Sequence, residues 1–143
     1  MGIRVFVLAL SLLALDVTLS TAAVRIADDR GGRIGSYMQA YAMLRSSGAD
    51  VVIDGPCLSA CTLIVGLIPR NRVCVTRRAH LGFHAAWLPG EDGRPVRNEA
   101  GTKILMDLYP ASVRRWIRRK GGLSRRMIYL RGRELAAMYR RCR

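Results

Sequence analysis

Three features of the chain carry chemistry-capable residues at regular intervals. Gly31-Gly32 lies between a predicted strand and a predicted helix. Ser59 follows 27 residues after Gly32, and His84 follows 25 residues after Ser59. A serine hydroxyl is a weak nucleophile until a base takes its proton, and histidine is the side chain that does so near neutral pH. At the start of a helix, free backbone N–H groups and the positive end of the helix dipole surround such a serine. Those donors can hold an oxyanion. A glycine pair brings further N–H groups close to a substrate without a Cβ in the way. Each residue also has a structural use: Ser59 as a helix N-cap, His84 as a strand-end side chain, and Gly31-Gly32 as a turn. His80 belongs to no motif.

The elements that must position these residues alternate between two periodicities. Val24–Asp28 reads as a strand, and Ile34, Tyr37, Met38, Tyr41 and Leu44 recur at helical spacing between Arg33 and Ser47, with Gly48 as the stop. Asp50–Ile53 is a continuous apolar strand, as expected where both faces are buried. Gly55-Pro56 turns the chain, Ser59–Leu67 reads as a short apolar helix, Arg72–Thr76 as a strand, and Leu81–His84 as another. Pro89–Asn98 has turn chemistry and reads as a surface loop. Thr102–Lys120 is helical with a break at Pro110, Gly121-Gly122 ends it, and Met127–Leu130 reads as extended. A last helix is expected from about Arg133 to Arg141, with Leu135, Met138, Tyr139 and Cys142 on one face. Strands alternating with helices predict an α/β fold with parallel pairing.

The chain has 143 residues, half of them apolar, with a net charge of +14. That is enough for one packed domain and excludes global disorder. Met1–Arg4 is a short cationic start, Ile3–Leu15 is an apolar stretch of 13 residues, and Ser20–Ala23 is small and polar. This order reads as a signal peptide over residues 1–23, with cleavage after Ala22 or Ala23. The expectation is a periplasmic or secreted protein whose single domain spans residues 24–143. Cleavage removes one cation, Arg4, and one acid, Asp16, so the net charge is unchanged.

The four cysteines are Cys57, Cys61, Cys74 and Cys142, and no two form a Cys-x-x-Cys pair. Zinc ribbons and thioredoxin chemistry are thereby disfavoured. His80 and His84 lie too far apart along an extended segment to share one ion with the cysteines, so no metal is expected. In an oxidising compartment an even number of cysteines implies disulfides, here with three connectivities open.

Of the 24 cations only Lys103 and Lys120 are lysines, and residues 114–143 hold 12 cations against a single acid, Glu134. Arg114, Arg115, Arg118 and Arg119 crowd one helix. Arginine clusters bind phosphate. However, an exported chain is not expected to bind nucleic acid. The alternatives are a solvated basic face or contact with an anionic envelope surface.

The central segment resembles a known group. Asp29-Arg-Gly31-Gly32 with its following helix is similar to the Ser-Pro-Gly-Gly turn and helix of the Clp protease proteolytic subunit. Gly55-Pro-Cys-Leu-Ser59-Ala60-Cys61 is similar to that family's Gly-x-Ala-x-Ser-Met segment, and Arg70–His84 resembles its Lys-Arg…Ile-His segment. Cys-x-Ser-Ala-Cys-Thr and Leu-Gly-Phe-His look like the uncharacterised exported branch of the Clp/crotonase-like superfamily. The resemblance runs through Val24–His84 and is loose in the C-terminal third. It implies a small Clp/crotonase-like ββα domain with a mostly parallel sheet and flanking helices. It also implies a catalytic pair, Ser59 as nucleophile and His84 as general base, with the N–H groups of Gly32 and Ala60 as the oxyanion hole. No cofactor is implied.

Aligning Arg131-Gly-Arg-Glu134-Leu135 with the family's helical segment puts Met127 where the family has its catalytic aspartate. His84 would then be oriented by a backbone carbonyl, by Asp107, or by nothing, and an unoriented imidazole has its wrong tautomer accessible. The family's return of the chain past its central strand implies a Cys74–Cys142 bridge. Cys57 and Cys61 either pair across the Ser59 turn or pack as small apolar residues. The expected function is an exported serine hydrolase acting by acyl transfer on a peptide or ester, with a homo-oligomer possible. The alternative is a degenerate, non-catalytic binding or assembly domain of the envelope.

Overall fold

The computed structural model describes residues 22–143. The signal peptide expected over residues 1–23 therefore lies, but for its last two residues, outside the described residues. The fold is mixed α/β, with a mostly parallel sheet and flanking helices. Strand β1 (Val24–Ile26) pairs in parallel with β2 (Val51–Ile53), β2 with β4 (Val73–Val75), and β4 with β9 (Arg140–Arg141). A second sheet has β3 (Pro56–Leu58) parallel to β5 (His80–Phe83), and β5 antiparallel to β8 (Ile128–Arg131).

The apolar run of β2 explains its central place: Val51 and Ile53 are wholly buried, as are Val73 on β4 and Leu81 on β5. Helix α1 (Ile34–Ser46) packs over the segment that follows β3, a 3-10 turn (Ser59–Leu63) running into α2 (Ile64–Leu67). Pro110 splits the predicted long helix into α3 (Glu99–Leu108) and α4 (Ala111–Arg119). The residue before a proline is pushed out of helical backbone, and Tyr109 has ψ 143°. Asn98 caps α3 by accepting from the Gly101 amide at 3.0 Å. Val113, Trp116 and Ile117 of α4 are wholly buried, and its arginines Arg115, Arg118 and Arg119 are exposed.

Three segments differ from the sequence expectation. Pro56–Leu58, of which Pro56 reads as part of a turn and the rest as no element, is a strand, because its backbone is taken up by β5 and by a bridge from Cys57 to Asp29. Pro89–Asn98, read as a loop, is partly an exposed hairpin: β6 (Trp87–Pro89) pairs with β7 (Pro95–Arg97) around a Gly90–Gly93 turn. The last helix is short. Helix α5 covers Gly132–Ala136, and the chain then straightens so that Arg140 and Arg141 join the parallel edge of β4. Edge pairing and a bond from the Cys142 amide to the Val75 carbonyl outweigh local helical periodicity there.

Candidate active site

The loop after β1 and the turn after β3 meet at Gly31. The amide of Asp29 donates to the Pro56 carbonyl and that of Leu58 to the Asp29 carbonyl, both at 2.8 Å. This lays the loop along β3. Gly31 has φ 83°, and a Cβ there would overlap the Leu58 carbonyl oxygen and the Ser59 Cβ. Only glycine fits this approach. The carboxylate of Asp29 accepts from the Gly31 amide at 2.8 Å and from the Tyr37 hydroxyl of α1 at 2.5 Å. Burial and the neighbouring Asp29 charge push the Tyr37 hydroxyl up to about 12, so it stays a donor.

Ser59 opens the 3-10 turn with φ 55°, the only positive-φ residue other than glycine among the described residues. Left-handed backbone is unfavourable for an L-residue and persists only where its surroundings enforce it. Several do so here. The Thr62 hydroxyl donates to the Ser59 carbonyl at 2.6 Å, and since its single proton is used there, the Tyr109 hydroxyl donates to Thr62 Oγ1, also at 2.6 Å. Burial pushes the Tyr109 hydroxyl up to about 12, keeping that donor protonated. The Tyr41 hydroxyl donates to the Cys61 carbonyl at 3.1 Å. Cys57 and Cys61 are disulfide-bonded across the serine, with their Cα atoms 5.3 Å apart.

His84 follows β5 and reaches this turn. Its Nε2 lies 2.8 Å from Ser59 Oγ, and its Nδ1 lies 2.7 Å from the Ala85 carbonyl oxygen. A carbonyl only accepts, so Nδ1 carries the proton and Nε2 is free to accept from the serine hydroxyl. Asp107 takes no part: it pairs with Lys103 at 2.6 Å on the exposed face of α3. Met127 sits one position before β8. The pairing of Phe83 with Ile128 puts it in the register position facing His84. There it supplies a thioether to the cleft lining.

Ser59, His84, Gly32, Ala60 and Met127 line one cleft of about 970 Å³. Ala60 lies in the first turn after Ser59, where N–H groups have no partner within the helix. Gly32 follows the amide already used by Asp29. Apolar side chains, among them Trp87, Leu88 and Leu105, form another part of the wall, and Arg30 and Arg33 carry positive charge at it. His80 is at the other end of β5 and stacks edge-on to Tyr129. All four cysteines are bonded, the second pair being Cys74–Cys142. Thr62, Tyr109, Tyr37 and Tyr41 were not foreseen as site-building residues. Asp29, two residues ahead of Gly31, was the one readable signal, since Asx side chains bond the amide two positions on.

No protein-family model matches the chain, and no curated protein matches it. Among solved structures, a ClpP1 mutant from Listeria monocytogenes is similar at 16% identity. The match covers 85% of this chain and 72% of that chain with a TM-score of 0.48.

Proposed function

We propose that this protein is an exported serine hydrolase with a Clp/crotonase-like fold, acting by acyl transfer on a peptide or ester. The observation that carries the reading is the chain of contacts from Ser59 Oγ through the His84 imidazole to the Ala85 carbonyl. The imidazole is held in the tautomer that general-base catalysis requires. In the reaction Ser59 Oγ attacks the substrate carbonyl carbon while its proton passes to His84 Nε2. The oxyanion is held by the amides of Gly32 and Ala60. His84 returns the proton to the leaving amine or alcohol, then deprotonates the water that hydrolyses the acyl-enzyme.

Export is supported by two disulfides in a chain with no free cysteine. Among the described residues no helix is long and apolar enough to cross a membrane. The exposed arginines of α4 suit contact with an anionic envelope surface. One observation favours a second reading, a non-catalytic binding or assembly domain: the group at His84 Nδ1 is the neutral Ala85 carbonyl, with no carboxylate to stabilise an imidazolium.

A fluorophosphonate probe separates the two readings, because it reacts only with a serine that is activated and backed by an oxyanion hole. The expected result is labelling that Ser59→Ala abolishes and His84→Ala lowers by two orders of magnitude or more. A folded protein that is not labelled moves the assignment to the binding domain. Labelling that survives Ser59→Ala removes the site.

A further inference from the structure

We infer that the Cys57–Cys61 disulfide is a positioning device for Ser59, holding the serine turn in the conformation that delivers Oγ to His84, and that the Cys74–Cys142 disulfide is the one that stabilises the fold. The inference rests on the hydrolase reading only where a reaction rate is measured.

The first support is placement. The bond joins residues four apart and encloses Ser59 midway. Cys57 is fixed on its own account: it lies on β3 opposite Leu81 of β5 and bridges to Asp29. Cys61 is fixed by the Tyr41 hydroxyl on its carbonyl. A covalent link between two anchored ends leaves the residues between them little freedom to rotate. The second support is the backbone at Ser59, whose φ of 55° an unrestrained serine leaves for the right-handed or extended regions. Such a change reorients Cα–Cβ and takes Oγ out of the 2.8 Å contact with His84.

The third support is the contrast between the bridges. Constraint of the unfolded chain grows with the loop that is closed. The second bridge spans 68 residues, ties the β9 edge to β4 and therefore restricts the unfolded chain far more. A short bridge gains little in that way, and both its cysteines are wholly buried around the one left-handed serine.

The test compares the wild type with two paired variants, Cys57→Ala with Cys61→Ala and Cys74→Ala with Cys142→Ala. Cys57→Val with Cys61→Ala serves as a second form of the first pair that refills the buried volume. The imidazole ¹⁵N spectrum reports the Ser59–His84 hydrogen bond whether or not the protein turns over, and it is simple because the chain has two histidines. The inference predicts that both Cys57/Cys61 variants move the His84 signals, leave those of His80 in place and lower fluorophosphonate labelling at least tenfold. The Cys74/Cys142 variant should keep labelling within twofold of wild type and show the larger fall in Tm. His84 signals and labelling unchanged in either folded Cys57/Cys61 variant overturn the inference, as does labelling that falls only in proportion to Tm across all variants. A wild type that is not labelled but whose His84 signals still move with Cys57 and Cys61 overturns the hydrolase reading and leaves the positioning role standing.

Discussion

His84 has the tautomer of a triad histidine without the charge of a triad acid. The Ala85 carbonyl at 2.7 Å orients the ring. In the proposed reaction it would offer no negative charge to an imidazolium formed as Ser59 loses its proton. A buried acid in that role is worth about 10⁴-fold in rate to a Ser-His-Asp site. Met127 faces His84 in register and lines the same cleft, so Met127→Asp should raise the fluorophosphonate labelling rate, by roughly tenfold or more if the carboxylate replaces the carbonyl at Nδ1. Second-order labelling constants for the two proteins decide this. A slower Met127→Asp protein with unchanged Tm would mean that the position does not serve His84.

At the scale of elements the site depends on a close approach between two loops. Gly31 packs its Cα against the carbonyl of Leu58 and the Cβ of Ser59, and the Asp29–Tyr37 contact fixes the loop on α1. Gly31→Ala puts a methyl group into that contact and forces a left-handed conformation on an alanine, which alone costs about 1–2 kcal/mol. The expected outcome is a lower denaturant midpoint together with a loss of labelling larger than the stability change accounts for. Gly35→Ala serves as the control, since a Cβ there meets nothing within 4 Å. Equal effects of the two variants would show that the loop approach does not matter to the site.

For the molecule as a whole, the sheet is tied at its polar end by Asp54. This buried carboxylate, just after β2, accepts from Arg25 of β1, from the Thr76 hydroxyl at 2.8 Å and from Arg78 through Nε at 3.1 Å and Nη2 at 2.5 Å. Above all the Arg78 and Thr76 bonds, and then Arg25, hold its carboxyl well below the usual carboxylate range. A carboxyl depressed in the folded state favours folding fully above its unfolded pKa of about 4 and progressively less as pH falls below that. Tm should therefore fall as pH is lowered from 5 towards 2, and Asp54→Asn should lower Tm at pH 7 and flatten that acid limb. An acid limb of unchanged slope in Asp54→Asn would assign the pH dependence to other carboxylates.

The sequence by itself determined the α/β class, the strand and helix order through His84 apart from β3, and the interval between Ser59 and His84. These depend on local matters: apolar runs that suit buried strands, 3.6-residue spacing in α1, glycine stops, and Pro110 as a break. The resemblance, rather than any local pattern, pointed to Met127 as standing in place of an acid. What only the tertiary structure decided were pairings between distant residues. Arg140–Arg141 left a helical pattern because β4 had a free parallel edge. Pro56–Leu58 became a strand because β5 lay beside it. Of the two bridges, Cys74–Cys142 was implied by the resemblance, whereas Cys57–Cys61 was left open by spacing until the serine turn had folded. The contact of His84 with Ser59 across 25 residues of chain, and the anchoring of the serine turn by Tyr41 and Tyr109 across 20 and 47, follow from the packing of distant elements. Local periodicity carries no record of such contacts, because they form only when packed layers bring remote side chains within 3 Å or so of one another.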